Sequence, residues 1–215
     1  MLHLGDCDGR MWSPLVSMDI VAHELMHGVT QMSSNLIYSS QSGGLNEAFS
    51  DIAGAVIEFY VNNSGDEPDF LLGEELEGSY GILRNMEDPT AVGSSIDSIC
   101  SFNENIDVHY TSGILNKAFV KSVRALETSS GQPERMCVLT MAETFLRSNI
   151  YMLTSSSTFV DAATASLESV FDTDINFTQE EMYSAIVLGW SEVNIDAVNG
   201  NISCNLDTKM LASES

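Results

Sequence analysis

The pentapeptide His23-Glu24-Leu25-Met26-His27 sets two imidazoles four residues apart with a carboxylate between them. On a helix, residues i and i+4 share a face one turn apart, so both rings can reach a single ion. Glu24, turned about 100° from His23, then stands beside that ion, where a base acting on a metal-held water belongs. A catalytic zinc needs a third protein ligand and an open position. Glu47, inside Gly43-Gly44-Leu45-Asn46-Glu47-Ala48-Phe49-Ser50-Asp51, is the candidate. Asp51 lies one turn beyond it on the same face, where it can hold a ligand imidazole by its other ring nitrogen. His109 follows Asp107, a carboxylate placed to orient its ring. Two surface histidines on an ordinary helix would share the first spacing by chance, but not the second motif.

The elements that must position these residues follow from periodicity and caps. Ser17 is an N-cap for a helix from Met18 to about Met32, with Ile20, Val21, Leu25 and Val29 as its apolar stripe and Asn35 as a left-handed stop. A Ser- and Gly-rich loop, Ser39 to Gly44, leads to a second helix from about Asn46 to Val61. A long acidic, irregular region follows to about Val108, as expected of an ion-bound or functional segment. Amphipathic helices are expected over Ser112 to Glu127, Arg135 to Met152 and Thr158 to Val170. The last opens at the capping box Thr178-x-x-Glu181 and ends at Gly189. No internal repeat is present, and the tail after about Asn199 is expected to be poorly ordered.

The bulk numbers narrow the function classes. A chain of 215 residues with 44% apolar content can bury a sizeable core. Acidic residues outnumber basic ones by 31 to 8, a field that repels nucleic-acid phosphates and anionic lipids. No nucleic-acid or membrane partner is therefore expected, and no apolar run is long enough to cross a bilayer. The N-terminus, Met1 to Asp6, has no signal-peptide pattern. Cys7, Cys100, Cys137 and Cys204 form no Cys-x-x-Cys pair. Two disulfides or free thiols both remain open. Asn62, Asn176 and Asn201 sit in glycosylation triplets, which are common by chance.

The separated motifs resemble the thermolysin family of metalloendopeptidases, most closely its pseudolysin and vibriolysin branch. They are Ser17 to His27, Asn35-Leu36-Ile37-Tyr38, Gly43 to Asp51, Leu83-Arg84-Asn85-Met86, Ile106-Asp107-Val108-His109 and Ser112-Gly113-Ile114-Leu115-Asn116-Lys117-Ala118-Phe119. The resemblance covers about residues 1 to 198. It implies a mainly α zincin catalytic region made of the central HExxH helix and an α-helical C-terminal lobe, with most of the N-terminal β-rich lobe absent. In residue terms, 1–16 is the remnant of that lobe, 17–33 the zinc-binding helix, 34–200 the α-helical lobe and 201–215 a flexible tail. Met1 aligns with an internal methionine of the family, so a shortened record and a true short product are both open.

The resemblance also implies roles. One zinc ion is held by His23, His27 and Glu47 with water in the fourth position, and Glu24 takes a proton from that water as it attacks the peptide carbonyl. Tyr38 and His109 donate to the developing oxyanion, with Asp107 supporting His109. Arg84 grips a substrate carbonyl oxygen. Ile20, Leu72 and Leu83 form an apolar pocket for the residue after the cleaved bond, implying preference for a bulky apolar side chain. Calcium is implied at Asp19, Glu58 and Asp69, with a backbone oxygen from Leu71 and Glu74 as a further carboxylate. Ala55 departs from that branch, which has a calcium carboxylate there, and 62–68 is longer than in the branch. The family further implies a secreted monomer acting on proteins and peptides. A non-catalytic metal-binding remnant and a zinc aminopeptidase are the competing readings.

Overall fold

The structure is a computed structural model that describes residues 17–61, 67–75, 81–170 and 177–204. The expectations for 1–16, Cys7, Asn62, Asn176 and 205–215 lie outside these residues.

Helix α1, Met18–Met32, follows Ser17 in an extended N-cap conformation, though the serine side chain makes no cap hydrogen bond. Its buried residues are Asp19, Ile20, His23, Met26 and Thr30, one face at helical spacing. The expected stripe is therefore displaced, because Leu25 and Val29 are 57% and 42% exposed. Polar groups with buried partners, Asp19 and His23 among them, set the inward face, and apolarity alone does not reveal it. Beyond the helix Asn35 adopts the left-handed conformation, φ 53°.

Helix α2, Ser40–Val61, starts ahead of the expected Asn46 and is buried continuously from Ser42 to Ile52. Helices pack on it from several sides, which explains why an element so rich in polar residues has no wet face at its centre. The two glycines at its start are there for clearance. A Cβ on Gly43 would fall 2.4 Å from Val108 Cγ1, and one on Gly44 2.5 Å from Thr111 Oγ1. The short helix α3, Val108–Thr111, carries His109 and so can lie against α2.

Between them the acidic region contributes the two-residue strands β1, Leu71–Leu72, and β2, Arg84–Asn85, paired antiparallel with Leu72 opposite Arg84. This pairing places Arg84 beside α2. Helices α4, Gly113–Ser130, α5, Glu134–Tyr151, α6, Phe159–Ser169, and α7, Gln179–Ser191, complete the core. Capping boxes open α6 at Thr158 and Asp161, and α7 at Thr178 and Glu181.

Two expectations at the C-terminal end are corrected. Gly189 does not stop α7; it lies inside it, where a Cβ would meet Ser122 Oγ at 2.0 Å and the Ala118 carbonyl at 2.3 Å, so only glycine lets α7 cross α4 this closely. Residues 201–204, expected to begin a flexible tail, are tied down. Strand β4, Asn201–Ile202, pairs antiparallel with β3, Ile195–Asp196, and a disulfide joins Cys100 to Cys204. Cys137 is a buried free thiol.

Candidate metal centre and active site

Three candidate ligand side chains converge where α1 faces α2. His23 Nε2 and His27 Nε2 are 3.0 Å apart, His23 Nε2 is 3.6 Å from Glu47 Oε2, and His27 Nε2 is 3.4 Å from Glu47 Oε1. A tetrahedral zinc with bonds of roughly 2.0–2.1 Å separates its ligand atoms by about 3.3 Å. The observed distances straddle that value, so these side chains fit the ion without rearrangement of the backbone.

The opposite nitrogens fix the rings. His23 Nδ1 lies 2.9 Å from Asp51 Oδ1, and His27 Nδ1 lies 2.7 Å from Asn46 Oδ1 and 3.1 Å from Ser50 Oγ. With the proton on Nδ1, each ring turns the lone pair of Nε2 toward the shared point. Asn46 Nδ2 donates to the Leu36 carbonyl at 3.1 Å, which sets the direction of its own amide oxygen. Asn46 and Ser50 were missed by sequence reasoning, although both stand inside the motif that supplies Glu47. Their i−1 and i+3 positions relative to Glu47 were the available signal.

Asp51 is fully buried, yet it accepts Arg84 Nε at 2.8 Å and Asn116 Nδ2 at 2.8 Å besides facing His23. Burial alone would raise its carboxyl, but the Arg84 charge and the His23 ring hold it down to about 2. Arg84 in turn has Glu47 Oε2 at 3.6 Å from its guanidinium. Burial works against the Arg84 charge, and the Asp51 and Glu47 carboxylates more than compensate, so its pKa is raised.

On the outer side, the Tyr38 hydroxyl donates to Glu47 and lies 3.1 Å from His109 Nε2. Burial and the Glu47 bond push the phenol well above its ordinary range, keeping it a proton donor. Asp107 Oδ1 accepts the His109 backbone N–H at 3.0 Å and lies 2.6 Å from His109 Nδ1, capping α3 while orienting the ring. These contacts hold the Asp107 carboxyl below its usual range.

A cleft of about 510 Å³ opens over this centre, lined by Glu24, His23, His27, Tyr38, Glu47, Arg84 and His109 together with Ile20 and Leu83. Leu72 does not line it. That side chain is fully buried, close to Gly54 of α2. Of the acidic residues expected to hold calcium, Glu58, Asp69 and Glu74, none of which lines the cleft, each present a carboxylate oxygen within 4.8 Å of the others. Asp19 stands outside this group of three, and its Oδ2 accepts the Gly73 N–H at 2.6 Å. The Leu71 N–H donates to Asp69 Oδ1 at 2.7 Å.

Two histidines one turn apart, a carboxylate between them and a third ligand from the next helix define a metallopeptidase-type centre. The chain belongs to the thermolysin metallopeptidase family. Its α-helical domain description matches residues 34–195 and its catalytic domain description residues 1–31. The chain is 33% identical over 187 residues to the hemagglutinin/proteinase of Vibrio cholerae, covering 87% of this chain and 28% of that protein. It is 38% identical over 177 residues to the neutral protease NprE of Bacillus pumilus, covering 78% and 53%. Against the neutral protease of Vibrio proteolyticus it is 44% identical over 106 residues, covering 49% and 17%. The solved precursor of protealysin from Serratia proteamaculans superposes with a TM-score of 0.70 at 25% identity, covering 88% of this chain and 61% of that one. The chain thus spans between 17% and 53% of the length of these curated relatives.

Proposed function

We propose that this chain carries the catalytic centre of a zinc endopeptidase that hydrolyses internal peptide bonds of proteins. The observation that carries the reading is the convergence of His23 Nε2, His27 Nε2 and Glu47 at 3.0 to 3.6 Å beneath a cleft that also exposes Glu24, Tyr38 and His109. His23, His27 and Glu47 hold the zinc, which when bound acts as a Lewis acid that acidifies water and polarises the scissile carbonyl.

The chain's own residues supply the rest. Glu24 accepts the proton of the attacking water and passes it to the departing amine. The Tyr38 hydroxyl and the His109 Nε2–H, adjacent at 3.1 Å, donate to the carbonyl oxygen as it gains charge, and Asp107 holds the His109 ring in place for this. Arg84, fixed on Asp51 and Glu47 at the cleft wall, presents its remaining N–H groups to a substrate carbonyl. Ile20 and Leu83 give the cleft an apolar flank, which favours a bulky apolar residue just after the cleaved bond.

Glu58, Asp69 and Glu74 form the all-oxygen set that a structural calcium wants. We place the mature protein outside the cell as a monomer. The Cys100–Cys204 disulfide supports an oxidising compartment, and no helix among the described residues is long and apolar enough to cross a membrane.

The test is hydrolysis of an internally quenched peptide by the zinc-loaded protein beside its Glu24→Gln variant. Turnover should fall by about 10²–10⁴-fold in the variant, with zinc content unchanged. Equal turnover in the two, or none from folded zinc-loaded protein, refutes the reading. Release of N-terminal residues alone would make it an aminopeptidase instead. In a peptide library, dominance of charged residues after the cleaved bond would overturn the pocket assignment.

A further inference from the structure

We propose that Asn116 is a positioning residue of the zinc site, acting through Asp51 to hold His23 in its ligating orientation. This rests on the assignment of zinc to His23, His27 and Glu47.

The two ligand histidines are supported differently. His27 is held by a neutral amide, Asn46, which is itself fixed on the Leu36 carbonyl. His23 is held by a carboxylate, and a carboxylate can rotate about its Cβ–Cγ bond unless both oxygens are engaged. On Asp51, Oδ1 already serves His23 Nδ1 at 2.9 Å and Arg84 Nε at 2.8 Å. Oδ2 is engaged by Asn116 Nδ2 at 2.8 Å. Asp51 is 0% exposed and Asn116 1%, so water has no ready access to replace this donor. Asn116 projects from the first turn of α4, the helix that packs beside α2, and so links the metal site to the helical core.

The residue type matters as much as the contact. An amide donates to Asp51 Oδ2 without adding charge beside Asp51 and Glu47. A carboxylate at 116 has no N–H to give Asp51 Oδ2 and would set like charges face to face. An Asp51 freed to rotate would no longer hold His23 Nδ1, and His23 Nε2 would lose its aim. Losing such a supporting partner weakens metal binding by about 10–100-fold.

The experiment strips the protein of zinc and measures zinc affinity by competition with a chromogenic chelator, for wild type, Asn116→Asp and Asn116→Leu. Both variants should bind zinc about 10–100-fold more weakly. A purely structural asparagine would lower the melting temperature of the zinc-free protein and leave zinc affinity within threefold of wild type, and that result overturns the proposal. If Asn116→Leu does not fold, the near-isosteric Asn116→Asp decides. No substrate enters this measurement. A protein that binds zinc tightly, loses affinity on substitution at 116 and cleaves no peptide would refute the peptidase reading and leave this inference standing.

Discussion

Helix α2 buries two glutamates roughly three turns apart, and their surroundings are opposites. Glu47, 0% exposed, faces His23, His27, Arg84 and the Tyr38 hydroxyl. Glu58, 4% exposed, is grouped with two further acids, Asp69 and Glu74. At the first end, donors and a fixed positive charge surround the carboxylate, so folding itself sets the geometry. At the second, three carboxylates each bring an oxygen within 4.8 Å of the others, an all-oxygen grouping. One helix thus carries a centre whose geometry suits a mixed nitrogen and oxygen set, and an acidic cluster that we propose takes a hard ion.

The largest effect should come from removing Asp51, because that strips the buried His23 and Asn116 and the half-buried Arg84 of their shared carboxylate. Asp51→Ala should destabilise even the zinc-free protein by about 3–5 kcal/mol, measured by urea unfolding. The acid limit follows from the same pair. With its folded value held at about 2, below the ordinary 3.8, Asp51 contributes stability fully above the ordinary value and loses it as pH falls toward the folded one. The gap between wild type and variant should therefore narrow from pH 6 to pH 2.5. A zinc-free variant as stable as wild type at pH 6 would mean the metal, not the fold, arranges this end.

Much of the first end was legible in the sequence because its parts are spaced by helical geometry. The i, i+4 histidines on α1 and the i, i+4 carboxylates Glu47 and Asp51 on α2 needed no knowledge of tertiary contacts. Helix α1 and the capping boxes at Thr178 and Glu181 lie where periodicity and caps put them. What failed was anything decided by who packs against whom. Leu25 and Val29 look like core and are exposed, while Asp19 and His23 look like surface and are buried. Gly189 looks like a stop and is a crossing point, because the clash that glycine avoids belongs to Ser122 and Ala118, far away in sequence. Leu72 matched a pocket position and is buried away from the cleft for the same reason. Asn46 and Ser50 are marked only by their places beside Glu47 in its motif, and Asn116 is invisible as a support until the helices are brought together.

The second end should give an intermediate effect, conditional on ion concentration. Free calcium at 100 times its dissociation constant adds about 2.7 kcal/mol of stability, which for a domain of this size raises the melting temperature by about 5–10 °C. Glu58→Gln should abolish most of that rise while leaving zinc content and turnover at 25 °C unchanged. A calcium titration that does not move the melting temperature of wild type would remove the ion from this end. A Glu58→Gln variant that also loses zinc would join the two ends into one site.

The smallest effect serves to separate stability from either site. Thr178 caps α7, accepting the Glu181 N–H at 3.2 Å while its own N–H and hydroxyl donate to the Glu181 carboxylate at 2.9 and 2.6 Å. Those bonds hold the Glu181 carboxyl below its usual range. Thr178→Ala should cost about 1 kcal/mol, a fall of about 2–4 °C in melting temperature. Neither zinc affinity nor the calcium-induced rise should change, because α7 packs chiefly on α4. If this distant cap weakened zinc binding as much as a change at Asn116 does, loss of global stability would be enough to disorder the centre. The contrast between a fold-set end and an ion-set end of α2 would then be one of degree.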